Sequence, residues 1–266
     1  MILIKLNFGE RIFMNNITFS QFFDEDGFFN KEFNLTFGMC DRNGKLSLQQ
    51  LLLMTSDTAV EDFNQRGFSW DMLWKHNMYI LTSRVSFHIY RMPKYNEHIT
   101  LKTWEEKQDN IQLNRKYKIY DTSSNELLVS GNSSWIVVNT KTRHIIPARS
   151  FTLRPSPTIE TEYEGLPLGK IVVPEDCVQL EKRKVRFSDI DGNRHTNNSR
   201  YGDFIIDALP ENLQDADFSD IRINYSHEAI FNETIDISAS FKDKETIVVG
   251  KQGKSTCFEC KLQTRS

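Results

Sequence analysis

The sequence predicts an α+β protein in which one antiparallel unit, a helix followed by several long strands, is written twice. Three observations predict it. The segment Phe37–Ala59 aligns without gaps on Phe187–Leu209, at an offset of 150 residues, so that Phe37 meets Phe187, Asp41 meets Asp191, Asn43 meets Asn193 and Lys45 meets His195. Each copy runs directly into an apolar stripe of helical period. Each stripe is followed by runs that alternate apolar and polar residues, the signature of strands with one buried face. A helix and an antiparallel sheet in each half give the sheet one face to bury and the helix to cover it.

In the first copy the stripe is Leu48, Leu51, Leu52, Thr55, Ala59 and Phe63, with Ser47 as N-cap and Gly67 as stop. In the second it is Tyr201, Phe204, Ile205, Ala208 and Leu209, with Asn197 or Asn198 as cap and Pro210 at the end. Val85, Phe87 and Ile89 alternate with Ser86, His88 and Tyr90, and Ile221, Ile223 and Tyr225 alternate with Arg222, Asn224 and Ser226. Asn96-Glu97-His98-Ile99 returns as Asn232-Glu233-Thr234-Ile235, each opening a further strand. Strands over 114–120 and 127–139 complete the first half, and strands over 246–251 and 256–263 the second, with turns at 121–125 and 250–253. Five of the seven prolines (Pro147, Pro155, Pro157, Pro167 and Pro174) fall between the halves and mark an extended connection. The division is residues 1–150, a linker over 151–180, and residues 181–266. The first 32 residues are Phe-rich, and both an edge strand and a flap are open for them.

Composition narrows the function. Hydrophobic residues make up 39% and charged residues 26% of the 266, enough apolar mass for a sizeable core. A net charge of −3 disfavours a polyanion partner, so no nucleic-acid function is expected. The N-terminus carries Lys5, Glu10 and Arg11 within its apolar stretch, and no run approaches the length of a membrane span, so a cytoplasmic protein is expected. Four scattered cysteines make no disulfide framework. Cys257 and Cys260 form a CxxC without a second ligand pair, and no metal or cofactor is expected.

The residues that could carry chemistry are Asp191, Asn193 and His195, followed at once by a helix, and Glu228 in Asn224-Tyr225-Ser226-His227-Glu228-Ala229. If the first segment is extended, its odd positions share one face, setting a carboxylate, an amide and an imidazole side by side. A carboxylate can orient an imidazole, an amide can donate to a developing oxyanion, and an imidazole can move protons near neutral pH. Asp, Gly and Asn are also ordinary turn formers, and a polar turn before a helix accounts for what the copies share. It does not account for the imidazole, which the first copy replaces by Lys45, or for Glu228, whose counterpart is Met92.

Asp189-Ile190-Asp191-Gly192-Asn193-Arg194-His195-Thr196-Asn197-Asn198-Ser199-Arg200-Tyr201 resembles the D-x-D-x-N-x-H-x-N-N-x-x-Y signature of acyl-acyl-carrier-protein thioesterases, and Tyr225-Ser226-His227-Glu228 resembles their Y-x-x-E. Thr103-Trp104 and the stretch from Ser134 to Arg143 look like further landmarks of that family, and the likeness runs from about Phe37 to the C-terminus. The resemblance implies a tandem double hotdog, two antiparallel sheets each wrapping a long central helix, with the acyl pocket mostly in the N-terminal half and Asp191, Asn193, His195 and Glu228 as the catalytic set in the C-terminal half. It implies hydrolysis of fatty acyl thioesters on acyl carrier protein. Many plant members carry a cysteine after the glutamate; Ala229 stands there here, which favours attack by water. The carrier is acidic, so Lys182, Arg183, Lys184 and Arg186 are candidate docking cations, with Lys141, Arg143 and Arg149 as a second group. An acyl-coenzyme A thioesterase, a non-catalytic acyl-binding hotdog protein and a hotdog dehydratase are the rival readings. Chain length, homodimer formation, and whether Glu228 or His195 is the base stay open.

Overall fold

The computed structural model describes residues 20–162 and 165–265. Its elements in chain order are β1 (Gln21–Phe23), β2 (Phe29–Asn34), α1 (Leu48–Gln65), α2 (Trp70–Lys75), β3 (Met78–Ile89), β4 (His98–Glu106), β5 (Gln112–Asp121), β6 (Leu127–Asn139), β7 (Ile145–Ile146), β8 (Val178–Lys184), α3 (Arg200–Ala208), α4 (Glu211–Gln214), β9 (Phe218–Tyr225), β10 (Thr234–Lys242), β11 (Glu245–Gln252) and β12 (Ser255–Thr264). Of the Phe-rich start, residues 1–19 lie outside the described part; from residue 20 onward it supplies edge strands β1 and β2.

The two expected sheets are joined edge to edge. Arg84–His88 of β3 pair antiparallel with Asp220–Asn224 of β9, giving one 12-stranded sheet in the order β1-β2-β4-β5-β6-β3-β9-β12-β11-β10-β8, with β7 on β6. Over that stretch neither inner edge is left with unmet N–H and C=O groups. The helix-facing rows follow the predicted alternation: Val85, Phe87 and Ile89 on β3 and Ile221 and Ile223 on β9 are all buried. One core runs through both halves, from Leu51 and Leu101 to Phe204 and Leu262.

Helix α1 begins where the sequence places it; α3 begins later than expected, with Ser199 rather than Asn197 or Asn198 as its N-cap and no side-chain cap bond. Ser47 Oγ accepts from the Gln50 amide at the start of α1, and Gly67, at φ 88°, follows its end. Asn197 Oδ1 accepts from the Ser199 amide ahead of α3, and Pro210 follows the end of α3. The helix starts meet at Gly202, where a Cβ would come within 2.9 Å of Gln49 backbone atoms, and Gln49 Nε2 donates to Ser199 Oγ at 3.3 Å. One predicted turn is shorter than expected. Gly250 stays inside β11, where the Phe258 ring occupies the space a side chain would take, so the reversal starts only after Gln252.

The proline-rich connection crosses the outer face of the sheet. Leu166, Pro167 and Gly169 carbonyls accept from Ser86, Arg222 and Asn224, and Lys116 Nζ donates to Thr161 and Glu162. That cover explains why polar outward residues such as Asn132 and Ser134 are buried.

Candidate active site

Residues 190–196 form a tight loop rather than the extended segment whose odd positions would share a face. The Asp191 amide donates to the His195 carbonyl, Ile190 bridges Thr196, and Asp191 Oδ1 accepts from the Asn193 amide at 2.8 Å. Arg194 takes the left-handed conformation at φ 69°. The physical reason is local: an Asp side chain capping the amide two residues on closes a turn that competes with extended backbone. Asp191 therefore fixes Asn193 through the main chain, not through an aligned row of side chains.

The loop is pinned to the segment that carries Glu228. Thr196 donates twice to the Ala229 carbonyl, from its amide at 2.9 Å and its hydroxyl at 2.8 Å. The Tyr201 hydroxyl joins the same spot; burial pushes its pKa up, while Ala229 and Thr196 contribute hydrogen bonds. Since His195 precedes Thr196 and Glu228 precedes Ala229, these bonds set the two side chains against each other. His195 Nε2 lies 3.2 Å from Glu228 Oε2, with the imidazole mostly buried and the carboxylate 41% exposed. His227, beside Glu228, is exposed.

Asn193 sits at the edge of a groove of about 110 Å³ under the C-terminal part of α1, walled by Ala59, Phe63, Leu73, Leu113 and Trp135. The N-terminal half also reaches the site with Arg143, which donates to the Tyr79 hydroxyl at 2.9 Å; that bond, and then the negative charge of Glu228, hold its guanidinium charged. The landmark stretch ending at Arg143 gave the residue, but not its left-handed backbone at φ 61°.

The first copy builds the same loop with other side chains. Its Leu46 amide donates to the Pro93 carbonyl, and Lys45 is paired with Asp217 and Arg42 with Asp215. A larger cavity, about 700 Å³, opens there. Size does not locate the chemistry in this case, because its walls hold neither an imidazole nor a carboxylate at the positions of His195 and Glu228.

Cys257 and Cys260 are buried strand residues; burial raises the Cys257 pKa to about 11 and pushes Cys260 up as well, so neither is a thiolate near neutral pH. Among the described residues no group of three or more His, Cys, Asp or Glu is arranged to hold a metal ion, and no helix is long and apolar enough to cross a membrane.

Residues 26–149 match the acyl-ACP thioesterase N-terminal domain and residues 175–265 the acyl-ACP thioesterase C-terminal domain. The chain belongs to the acyl-ACP thioesterase family. It is 23% identical over 253 residues to an oleoyl-acyl carrier protein thioesterase 2 of Arabidopsis thaliana, named as chloroplastic, covering 87% of this chain and 69% of that protein. It is 24% identical over 200 residues to the oleoyl-acyl carrier protein thioesterase of Coriandrum sativum, where the match spans 54% of the relative. An acyl-ACP thioesterase of Bacteroides thetaiotaomicron superposes with a TM-score of 0.80 at 22% identity, over 89% of this chain and 97% of that one. A 12:0-ACP thioesterase of Umbellularia californica does so with 0.73 at 15% identity, over 90% and 97%. The fold is thus the double hotdog of this family.

Of the four expected docking cations in this thioesterase, two are committed elsewhere. Lys182 faces Asp236, and Arg183 pairs with Asp207 while lying over the Phe204 ring. Lys184 and Arg186 are exposed and take part in no ion pair among the described residues.

Proposed function

We propose that this chain hydrolyses fatty acyl thioesters carried on acyl carrier protein, by direct attack of water. The observation that carries the reading is the 3.2 Å contact between His195 and Glu228 beside a groove edged by Asn193. The pair takes a proton from water as its oxygen bonds to the thioester carbonyl carbon. Asn193 donates to the oxyanion, and Asp191 keeps Asn193 in place through its backbone. The C–S bond then breaks and the thiolate leaves, taking up a proton. No cysteine stands after the glutamate to compete with water, since that position is Ala229. The acyl chain lies in the groove of the N-terminal half, and Lys184 and Arg186 meet the acidic carrier. The working division stays as residues 1–150, 151–180 and 181–266, in the cytoplasm.

The test is thiol release from carrier-linked acyl chains, with the same chains on coenzyme A and a His195→Ala control. Faster release from the carrier, abolished in the control, is the expected result. Equal or faster release from coenzyme A moves the substrate, and release that survives His195→Ala removes the assigned chemistry.

A further inference from the structure

The helix-facing surface of the N-terminal sheet is not apolar throughout. Glu105 and Arg115 sit opposite each other on β4 and β5, and Asp62 descends from α1 onto them. The Arg115 side chain is 3% exposed. Its Nη1 donates to Asp62 Oδ2 at 2.8 Å and to Thr103 Oγ1 at 3.2 Å, and its guanidinium lies over the Phe63 ring. Its Nη2 is buried without a hydrogen-bond partner. Glu105 is engaged by Arg154.

Arg115 and Glu105 both line the groove that Asn193 edges. A buried donor with no acceptor is costly, and a cavity wall is where a ligand can supply the missing partner. The fold itself does not require charge there: at the equivalent register of the C-terminal half Phe241 sits opposite Thr246, with Leu262 next in the row.

The sheet register gives the reach. Ile223, Val85, Ser133 and Arg115 form one row across β9, β3, β6 and β5. Three strand steps are roughly 14 Å. That span is the cross-strand part of the path, since the row starts at Ile223 and Glu228 lies beyond the end of β9; at about 1.3 Å per C–C bond a chain from the site needs on the order of ten carbons or more to reach Arg115.

We propose that Arg115 is a specificity-determining residue that selects acyl chains carrying an oxygen, as hydroxyl or keto group, about ten carbons or more from the thioester. The oxygen accepts from Nη2, and a plain methylene chain leaves that donor unmet. The inference rests on the hydrolase reading for its substrate, but its binding arm does not.

The experiment compares kcat/KM for carrier-linked chains of equal length with and without a hydroxyl at about carbon 10 or beyond. It adds a short chain that stops before Arg115. Binding of the matching free acids is followed by tryptophan fluorescence, since Trp70 and Trp135 stand in the groove wall. The hydroxylated chain is expected to be favoured by about 10-fold or more, the scale of one buried hydrogen bond. Arg115→Lys keeps the charge facing Asp62 and removes the Nη2 donor; it should bring the ratio to about one and leave the short chain unchanged. Arg115→Gln with Asp62→Asn removes both charges together and should do the same, should the lysine variant fail to fold. A plain chain preferred or equal, or a preference that survives both substitutions, overturns the proposal. Preferential binding of the hydroxy acid without cleavage of any thioester would support it while refuting the hydrolase reading. Cleavage with no preference would do the reverse.

Discussion

Residues 40–46 and 190–196 close the same loop with the same backbone. In both, Asp Oδ1 accepts from the Asn amide two residues on at 2.8 Å, and the position directly after that Asn is left-handed, Gly44 at 71° and Arg194 at 69°. In both, the residue after the loop donates its amide to a carbonyl on the facing segment, Pro93 or Ala229. What differs is the residue at two matched positions: Lys45 and Met92 in one half, His195 and Glu228, 3.2 Å apart, in the other. The comparison separates the residues the loop needs from those the proposed reaction would use. Asp recurs because its carboxylate closes the turn on the amide two residues on, whereas an imidazole and a carboxylate face each other only in the second copy. His195→Lys, which copies the silent loop into the proposed site, should lower kcat by about 100- to 10,000-fold with the fold intact, and Lys45→His should change thiol release little. Substantial turnover in the first variant would break the comparison at its centre.

The halves also differ in what they bury. Helix α1 has 18 residues and α3 has 9, and the extra length carries Ala59, Asp62 and Phe63 over the groove. With that length comes a buried ion pair, Asp62 to Arg115 at 2.8 Å, with Arg66 on the other carboxylate oxygen at 2.7 Å. Such a pair contributes little against an apolar replacement, but removing one partner leaves an uncompensated buried charge. Asp62→Ala should therefore destabilise the protein by about 3–5 kcal/mol in urea unfolding. A loss below about 1 kcal/mol would mean that Arg115 finds another partner or water, and that the polar wall is softer than its geometry.

These contrasts mark what the sequence could yield. The start of α1, the end of α3, strand alternation and the repeat were legible because each is a local pattern: Ser47, Pro210 and the Val85–Ile89 alternation act on their neighbours. The joining of the two sheets was not, because β3 ends at Ile89 and β9 begins only at Phe218, and either edge alone reads as an ordinary half-buried strand. His195 and Glu228 were legible as residue types absent from the first copy. Their 3.2 Å contact depends on Thr196 and Ala229, which look unremarkable in a sequence. Arg115 was invisible for the same reason: a lone cation in a strand predicts a solvated face, and only Asp62 descending from α1 makes burial tolerable.

Thr196 sharpens the comparison at smaller scale. Leu46, its counterpart, reaches the facing carbonyl with its amide alone, whereas Thr196 adds its hydroxyl. If the added bond serves to hold His195 against Glu228, Thr196→Val should lower kcat by about 3- to 10-fold, the equivalent of one hydrogen bond of roughly 1 kcal/mol, with KM little changed. A stability loss of that size with kcat intact would assign the hydroxyl to folding alone.

The smallest effect is expected at Arg194. An L-residue in the left-handed region costs about 1–2 kcal/mol, and glycine avoids it at the expense of about 0.5–1 kcal/mol of unfolded-state entropy. Arg194→Gly, which restores the residue found at Gly44, should thus leave the protein equally stable or up to about 1 kcal/mol more stable, as read from the urea midpoint. Turnover should stay within about 2-fold if backbone geometry is all the position supplies. A tenfold loss with stability unchanged would show that the guanidinium acts on substrate or carrier, and that the two loops differ by three functional side chains rather than two.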